Sequence, residues 1–252
     1  MSASPFDITG ARALVTGSSQ GIGKALARAL VEAGAEVVLN ARRPEPLEAA
    51  RAELAALGSG PVRAVAFDVT DEADVCRGLA EVGPVDILVN NAGMQRRAPL
   101  PDFPTADFDA LMATNVRSVF LFSREFSRGM IERGRGKIIV IASVQSELAR
   151  PAIAPYSATK GAVLMLVKGM CADLARHGIC VNAIAPGYFA TELTQALVAD
   201  EQFTSWVETR TPAGRWGQVA DLAGTLLWLA SPASDFVNGQ TIFVDGGMTA
   251  VL

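Results

Sequence analysis

The sequence predicts an α/β fold: a doubly wound, Rossmann-type parallel sheet of about seven strands, helices on both faces, in one domain. Three observations lead there. Short apolar runs alternate with helical stretches along the whole chain. The runs are apolar at nearly every position instead of every second one, as strands buried on both faces require. No linker, repeat or low-complexity segment divides the 252 residues, a length that suits one large α/β domain.

The elements follow in order. Strands are predicted over 13–15, 36–40, 62–67, 86–89, 138–141, 180–184 and 241–244. Helices are predicted over 21–33, 46–57, 72–81, 105–133 and 156–177. Each helix sits between two strands, the pattern of right-handed crossovers in a parallel sheet. The helix over 156–177 is apolar nearly all round, with Val163, Leu164, Met165, Leu166, Val167 and Met170 in sequence. One face covers the sheet. The other calls for a second subunit, so a homodimer or homotetramer is expected.

Composition narrows the function. Half of the residues are hydrophobic, the net charge is −4 and the isoelectric point is about 5.2, which disfavours nucleic-acid binding through a basic surface. The first residues carry neither a basic nor an apolar leader pattern, and no apolar run spans a bilayer, so a cytoplasmic enzyme without a membrane partner is expected. Cys76, Cys171 and Cys180 lack metal-ligand spacing and read as reduced thiols. The single histidine, His177, ends a helix, so neither a multi-histidine zinc site nor a Ser-His-Asp hydrolase fits.

Three motifs carry chemistry. Gly17-Ser18-Ser19-Gln20-Gly21-Ile22-Gly23 lies between the first strand and the first helix. Glycines there allow positive φ and bring backbone N–H groups to a pyrophosphate at a helix N-terminus. The second strand runs into Asn40-Ala41-Arg42-Arg43, with no acid to hold both ribose hydroxyls. Arg42 suits a 2′-phosphate, which favours NADP over NAD. Asp68-Val69 fits an adenine contact, and Asn90-Asn91-Ala92-Gly93 brings backbone to the dinucleotide. Finally, Tyr156 and Lys160 share one helical face, where an ammonium favours ionisation of a phenol that ordinarily titrates near ~10. Ser143 lies just after the apolar strand that precedes them.

Taken together, these stretches, with Asn115, Pro186-Gly187 and Val244-Asp245-Gly246-Gly247, resemble the short-chain dehydrogenase/reductase superfamily over essentially the whole chain. The resemblance implies Tyr156 as general acid/base, with Lys160 tuning it and holding the nicotinamide ribose. Ser143 would bind the reacting oxygen, and Asn115 would anchor a water relay to Lys160. Pro186, Gly187 and Thr191 would cover the nicotinamide. A substrate lid is expected over 188–209, closing through Phe189, Leu193, Phe203 and Trp206. Gln20 departs from the basic residue that many NADP-preferring relatives carry nearby, which leaves Arg42 as the basis for NADP.

Within the superfamily, 90–97, 146–150 and 210–217 are similar to stretches of gluconate 5-dehydrogenases, which interconvert gluconate and 5-ketogluconate. A sugar acid needs a cation for its carboxylate and acceptors for its hydroxyls. Arg96 or Arg97 would supply the first and Glu147 the second. A 3-oxoacyl-carrier-protein reductase or a dehydrogenase of another sugar would share the same reactive set. A nucleotide-sensing protein without activity would ordinarily have lost the tyrosine–lysine pair.

Overall fold

A computed structural model of the protein describes residues 4–252, apart from the side chain of Leu193. The chain runs β1 (Arg12–Thr16), α1 (Gly21–Glu32), β2 (Glu36–Ala41), α2 (Pro44–Ala55), β3 (Val62–Ala66), α3 (Glu72–Val82) and β4 (Ile87–Asn90). It continues through α4 (Thr105–Met112), α5 (Ser118–Arg133), β5 (Gly136–Ile141), α6 (Ala154–Leu174) and β6 (Ile179–Pro186). Last come β7 (Phe189–Ala190), α7 (Gln195–Val198), α8 (Glu201–Arg210), β8 (Gly217–Gln218), α9 (Ala223–Ala230) and β9 (Thr241–Val244).

Seven strands form one parallel sheet in the order β3-β2-β1-β4-β5-β6-β9. All seven predicted strands are present. Their side chains alternate between two cores, as the two-residue period of a strand dictates. Ala13, Val15, Val37, Leu39 and Val89 pack under α1, α2 and α9, with Leu26, Leu30, Leu54 and Leu226. Leu14, Val38, Leu88, Ile138 and Val140 pack under α3, α5 and α6, with Val75, Phe122, Met130, Val163 and Val167. Phe67 stacks on Phe122 with ring centroids 5.8 Å apart, joining the edge of β3 to α5.

The winding reverses between β1 and β4, which are neighbours although three helices separate them in the chain. Both strands end at the same edge of the sheet, and the loops that leave them diverge. The result is a crevice at the carboxyl ends of the strands, where open α/β sheets bind ligands.

The predicted single helix over 105–133 is corrected by the structure. Residues Ala113–Arg117 form a π-helical turn between α4 and α5, where the Ser118 N–H reaches the Ala113 carbonyl. One inserted residue lets Asn115 turn inward, and its neighbours keep an apolar pattern, so periodicity carries no sign of it. The apolar face of α6 is half as predicted. Val163 and Val167 are buried, while Met165 is exposed, as are Phe108 on α4 and Phe120 on α5. No helix among the described residues is long and apolar enough to cross a membrane.

Among the described residues Ala152 alone of the non-glycines has a positive φ, 66°. It lies in the loop joining β5 to α6, where its carbonyl accepts from the Ala98 N–H at 3.2 Å. The left-handed conformation costs an L-residue roughly 1–2 kcal/mol, less what glycine loses through its freer unfolded chain. Ala152→Gly should therefore gain roughly 0.5 kcal/mol or more in denaturant unfolding, and Ala152→Val should lose about 1 kcal/mol. A lower midpoint for the glycine variant would contradict this strain.

Candidate active site

The crevice is a cleft of about 680 Å³. The turn after β1 forms one wall. Gly17 has a φ of 65°, and a Cβ there would lie 2.9 Å from the Ala92 Cα. A Cβ on Gly23 would collide with the Gly17 carbonyl and the Asn91 amide. Neither position tolerates a side chain, so the backbone itself faces the cleft. Gln20 occupies the N-cap of α1, and the first turn of that helix holds no acid. An anion at this helix end meets free N–H groups and the positive end of the dipole.

The turn is held by residues that the sequence reading left without a role. The Asn91 side chain donates to the Thr16 and Gly17 carbonyls at 2.9 and 3.0 Å. The Thr16 hydroxyl accepts from the Asn91 and Ala92 N–H groups, both at 3.0 Å. The loops after β1 and β4 are thus one hydrogen-bonded unit.

The other wall comes from β5 and α6. Ser143 follows β5, and its hydroxyl accepts from the Gln145 N–H at 3.2 Å. Tyr156 and Lys160 rise from α6 and line the same cleft. The Lys160 ammonium is buried and donates to the Ile141 carbonyl at 2.8 Å. It lies 5.7 Å from the Tyr156 ring centroid. Burial pulls Lys160 down to about 8. Burial also pushes the Tyr156 phenol above its ordinary value; the Ser143 hydrogen bond and the Arg97 charge oppose this, while Tyr188 adds to it. Desolvation outweighs both lowering influences, so the lowering of the phenol expected from the Tyr156–Lys160 spacing is not the net result here.

Asn115 stands behind this pair. Its carbonyl oxygen accepts from the Met94 N–H at 2.9 Å, and its amide donates to the Met94 carbonyl and the Thr159 hydroxyl, each at 3.0 Å. The π turn therefore ties α6 to the loop after β4. That loop carries Gly93, where a Cβ would come within 3.9 Å of the Lys160 Nζ.

The remaining expected residues divide. Ser19, Ile22, Ala92, Arg96, Pro186, Gly187 and Thr191 line the cleft with those above. Thr191 and Thr194 form a capping box that shapes the start of the 188–209 segment, a pattern legible as Thr-x-x-Thr. Asn40 is fully buried, and its amide donates to the Val65 and Phe67 carbonyls at 3.2 Å each, tying β2 to β3. Asn90 donates to the Ser123 hydroxyl at 3.2 Å beneath the cleft. Gly21, with a φ of 58°, makes the bend into α1. Arg42 is exposed at the end of β2, 3.6 Å from the Asp68 carboxylate, and Val69 follows Asp68. The substrate candidates separate as well. Arg96 and Arg97 are both exposed and line the cleft; Arg96 lies 3.4 Å from Asp107, whereas Arg97 is close enough to Tyr156 for their charges to interact. Glu147 is exposed and does not line the cleft.

The expected lid contains β7, α7 and α8. Tyr188, Phe203 and Trp206 pack edge-on or tilted at 5.5–5.7 Å between centroids, joined by Trp216. The Leu193 side chain lies outside the described residues.

The comparisons with known proteins agree with this geometry. A family model described as Enoyl-(Acyl carrier protein) reductase matches residues 17–249. The gluconate 5-dehydrogenase of Gluconobacter oxydans is 58% identical over 98% of this chain and 98% of its own length. The 5-keto-D-gluconate 5-reductase of Escherichia coli K12 is 50% identical, over 96% of this chain and 97% of its own. A crystal structure of a gluconate 5-dehydrogenase from Burkholderia cenocepacia, in complex with NADP and tartrate, is 56% identical. It superposes with a TM-score of 0.94, covering 98% of both chains. Matches of this extent, on a sheet wound in this order, make the chain a member of the short-chain dehydrogenase/reductase family.

Proposed function

We propose that this chain is an NADP-dependent oxidoreductase that interconverts gluconate and 5-ketogluconate. The observation that carries the reading is a cation, Arg97, that has no acidic partner among the described residues and lines the same cleft as Tyr156, Ser143 and Lys160, in a chain 58% identical to a gluconate 5-dehydrogenase. A thioester on an acyl carrier has no carboxylate for Arg97. The decisive assay offers gluconate with NADP, then 5-ketogluconate and an acetoacetyl thioester with NADPH, following the nicotinamide absorbance. Turnover of the thioester alone would overturn the reading.

The residues around the cleft fit the cofactor. The Gly17–Gly23 turn and the N-terminus of α1 would hold the pyrophosphate, and Arg42 the 2′-phosphate, with Asp68 and Val69 beside the adenine. Pro186, Gly187 and Thr191 would border the nicotinamide, which exchanges a hydride with the substrate carbon when bound.

In our reading, Tyr156 gives its proton to the ketone oxygen in reduction and takes it back from the alcohol in oxidation. Ser143 donates to the same oxygen and stabilises the charge that develops there. Lys160, fixed by the Ile141 carbonyl, would place its positive charge near a phenolate on Tyr156 and would hold the nicotinamide ribose. Asn115 would seat a water that returns protons to Lys160. The segment 188–209 closes over the site through its aromatic cluster and excludes water. Residues 1–252 act as one catalytic domain, in a cytoplasmic homo-oligomer, tetramer or dimer; exposed Phe108 on α4, Phe120 on α5 and Met165 on α6 are apolar side chains that such an assembly could cover.

Tyr156→Phe should lower kcat by roughly 10²- to 10⁴-fold while NADPH affinity stays within about twofold. An active variant would refute the assigned acid/base. The pH dependence has a sign. Tyr156 is raised, so it keeps its proton at neutral pH, ready for ketone reduction. Lys160 loses its proton above about 8, and reduction should decline from there. Oxidation needs the phenolate, so its kcat should climb from neutral into alkaline pH. Profiles of kcat in both directions check this, and a reductive rate that rises from neutral to alkaline pH would contradict it. Arg42→Ala should weaken NADP binding by roughly 10- to 100-fold, the value of hydrogen bonds to a charged group, and leave NAD nearly unchanged. Equal losses for both cofactors would remove the basis for phosphate recognition.

A further inference from the structure

We propose that Arg150, acting with Arg97 and the Tyr188 hydroxyl, is the carboxylate anchor of the substrate cleft and so determines its preference for acidic sugars. The inference rests on the proposed reaction and names how its substrate is gripped.

Arg150 lies in the loop after β5, and Arg97 in the loop after β4. The Ala98 N–H bonds the Ala152 carbonyl at 3.2 Å, so these two loops are stapled side by side within two residues of each arginine. The Arg150 guanidinium sits over the Phe203 ring, 5.6 Å from its centroid. Phe203 in turn packs against Tyr188 at 5.7 Å. Arg97 lines the cleft, and Arg150 and Tyr188 lie close enough for their charges to act on it.

These groups lack partners. Among the described residues neither Arg97 nor Arg150 forms an ion pair, although Arg96 next door is paired with Asp107. Arg97 bonds instead to the neutral Gln95 side chain. The Arg150 Nε and the Tyr188 Oη are buried and make no hydrogen bond within the chain. Burial and the neighbouring Arg150 both disfavour the Arg97 charge. Two like charges beside an unsatisfied donor, walled by aromatic rings, are costly unless an anion completes them. A carboxylate matches: its two oxygens accept from guanidinium forks and from a hydroxyl at once. The polyol chain of the same molecule then points along the cleft toward Ser143 and Tyr156.

Two measurements test the anchor. Gluconate affinity is read by calorimetry in the Tyr156→Phe protein saturated with NADP, and KM and kcat are read in the otherwise unaltered enzyme. Arg150→Met should weaken gluconate binding, and raise KM, by roughly 10- to 100-fold, with NADPH affinity unchanged. Arg150→Lys should recover part of the loss. Tyr188→Phe, which keeps the aromatic packing, should cost roughly 3- to 10-fold, and it decides the matter if Arg150→Met does not fold. The anchor is overturned if gluconate affinity stays within twofold, or if gluconate and NADPH affinities fall together. Turnover of gluconate with an unaffected Arg150→Met KM removes the anchor and leaves the reaction. Arg150-dependent gluconate binding without turnover leaves the anchor and removes the reaction.

Discussion

A lysine ammonium buried without a carboxylate organises this site. Lys160 is pinned by a single carbonyl, that of Ile141 at the end of β5, and burial alone draws it down to about 8. A carboxylate partner would restore its affinity for the proton and cancel the positive charge that the proposed mechanism asks it to place near Tyr156. The carbonyl does neither: it fixes the Nζ without neutralising it. The same bond docks α6 on the carboxyl end of β5, which sets Tyr156 opposite Ser143. Packing and electrostatics at this point are therefore one constraint. Substituting Lys160 would disturb the helix seat as well as the charge.

A second unit meets the first across the switch point of the sheet. Thr16 and Asn91 knit the loops after β1 and β4, leaving the Gly17 and Gly23 backbone open to the cleft. Asn115 carries that rigidity onward by bonding Met94 on one side and Thr159 on the other. The proposed dinucleotide cradle and the proposed acid/base are thereby referenced to one frame of hydrogen bonds. Hydride transfer demands such registration, because misplacement on the scale of an ångström costs orders of magnitude in rate.

Much of this was legible beforehand. The seven strands are apolar throughout because both faces of the sheet are covered, so their signal needs no tertiary information. The glycine turn and the Tyr156–Lys160 pair are local spacings, readable for the same reason. Less legible were residues whose partners are distant in the chain. The fully buried Asn40 amide bridges to residues at the end of β3, 25 and 27 positions away. Arg96 and Arg97 are equivalent in sequence; Asp107 on α4 separates them by occupying one. The π turn at Ala113–Arg117 interrupts a pattern that looks like one helix, because a single added residue leaves the apolar periodicity nearly intact.

The sequence by itself determined the fold class, the strands of the sheet, the turn that opens α1 and the spacing that puts Tyr156 and Lys160 on one helix. Each depends on period, length or near-neighbour spacing, which the linear chain carries directly. Tertiary structure alone decided which charges are left unpaired. It paired Arg96, left Arg97 and Arg150 without an acidic partner among the described residues on two stapled loops, and put Glu147 on the surface. It also decided the direction on Tyr156, where desolvation outweighs the Ser143 hydrogen bond and the Arg97 charge. Burial and counter-charge are properties of a position in space, summed over every element packed around it, and no short window of sequence contains them.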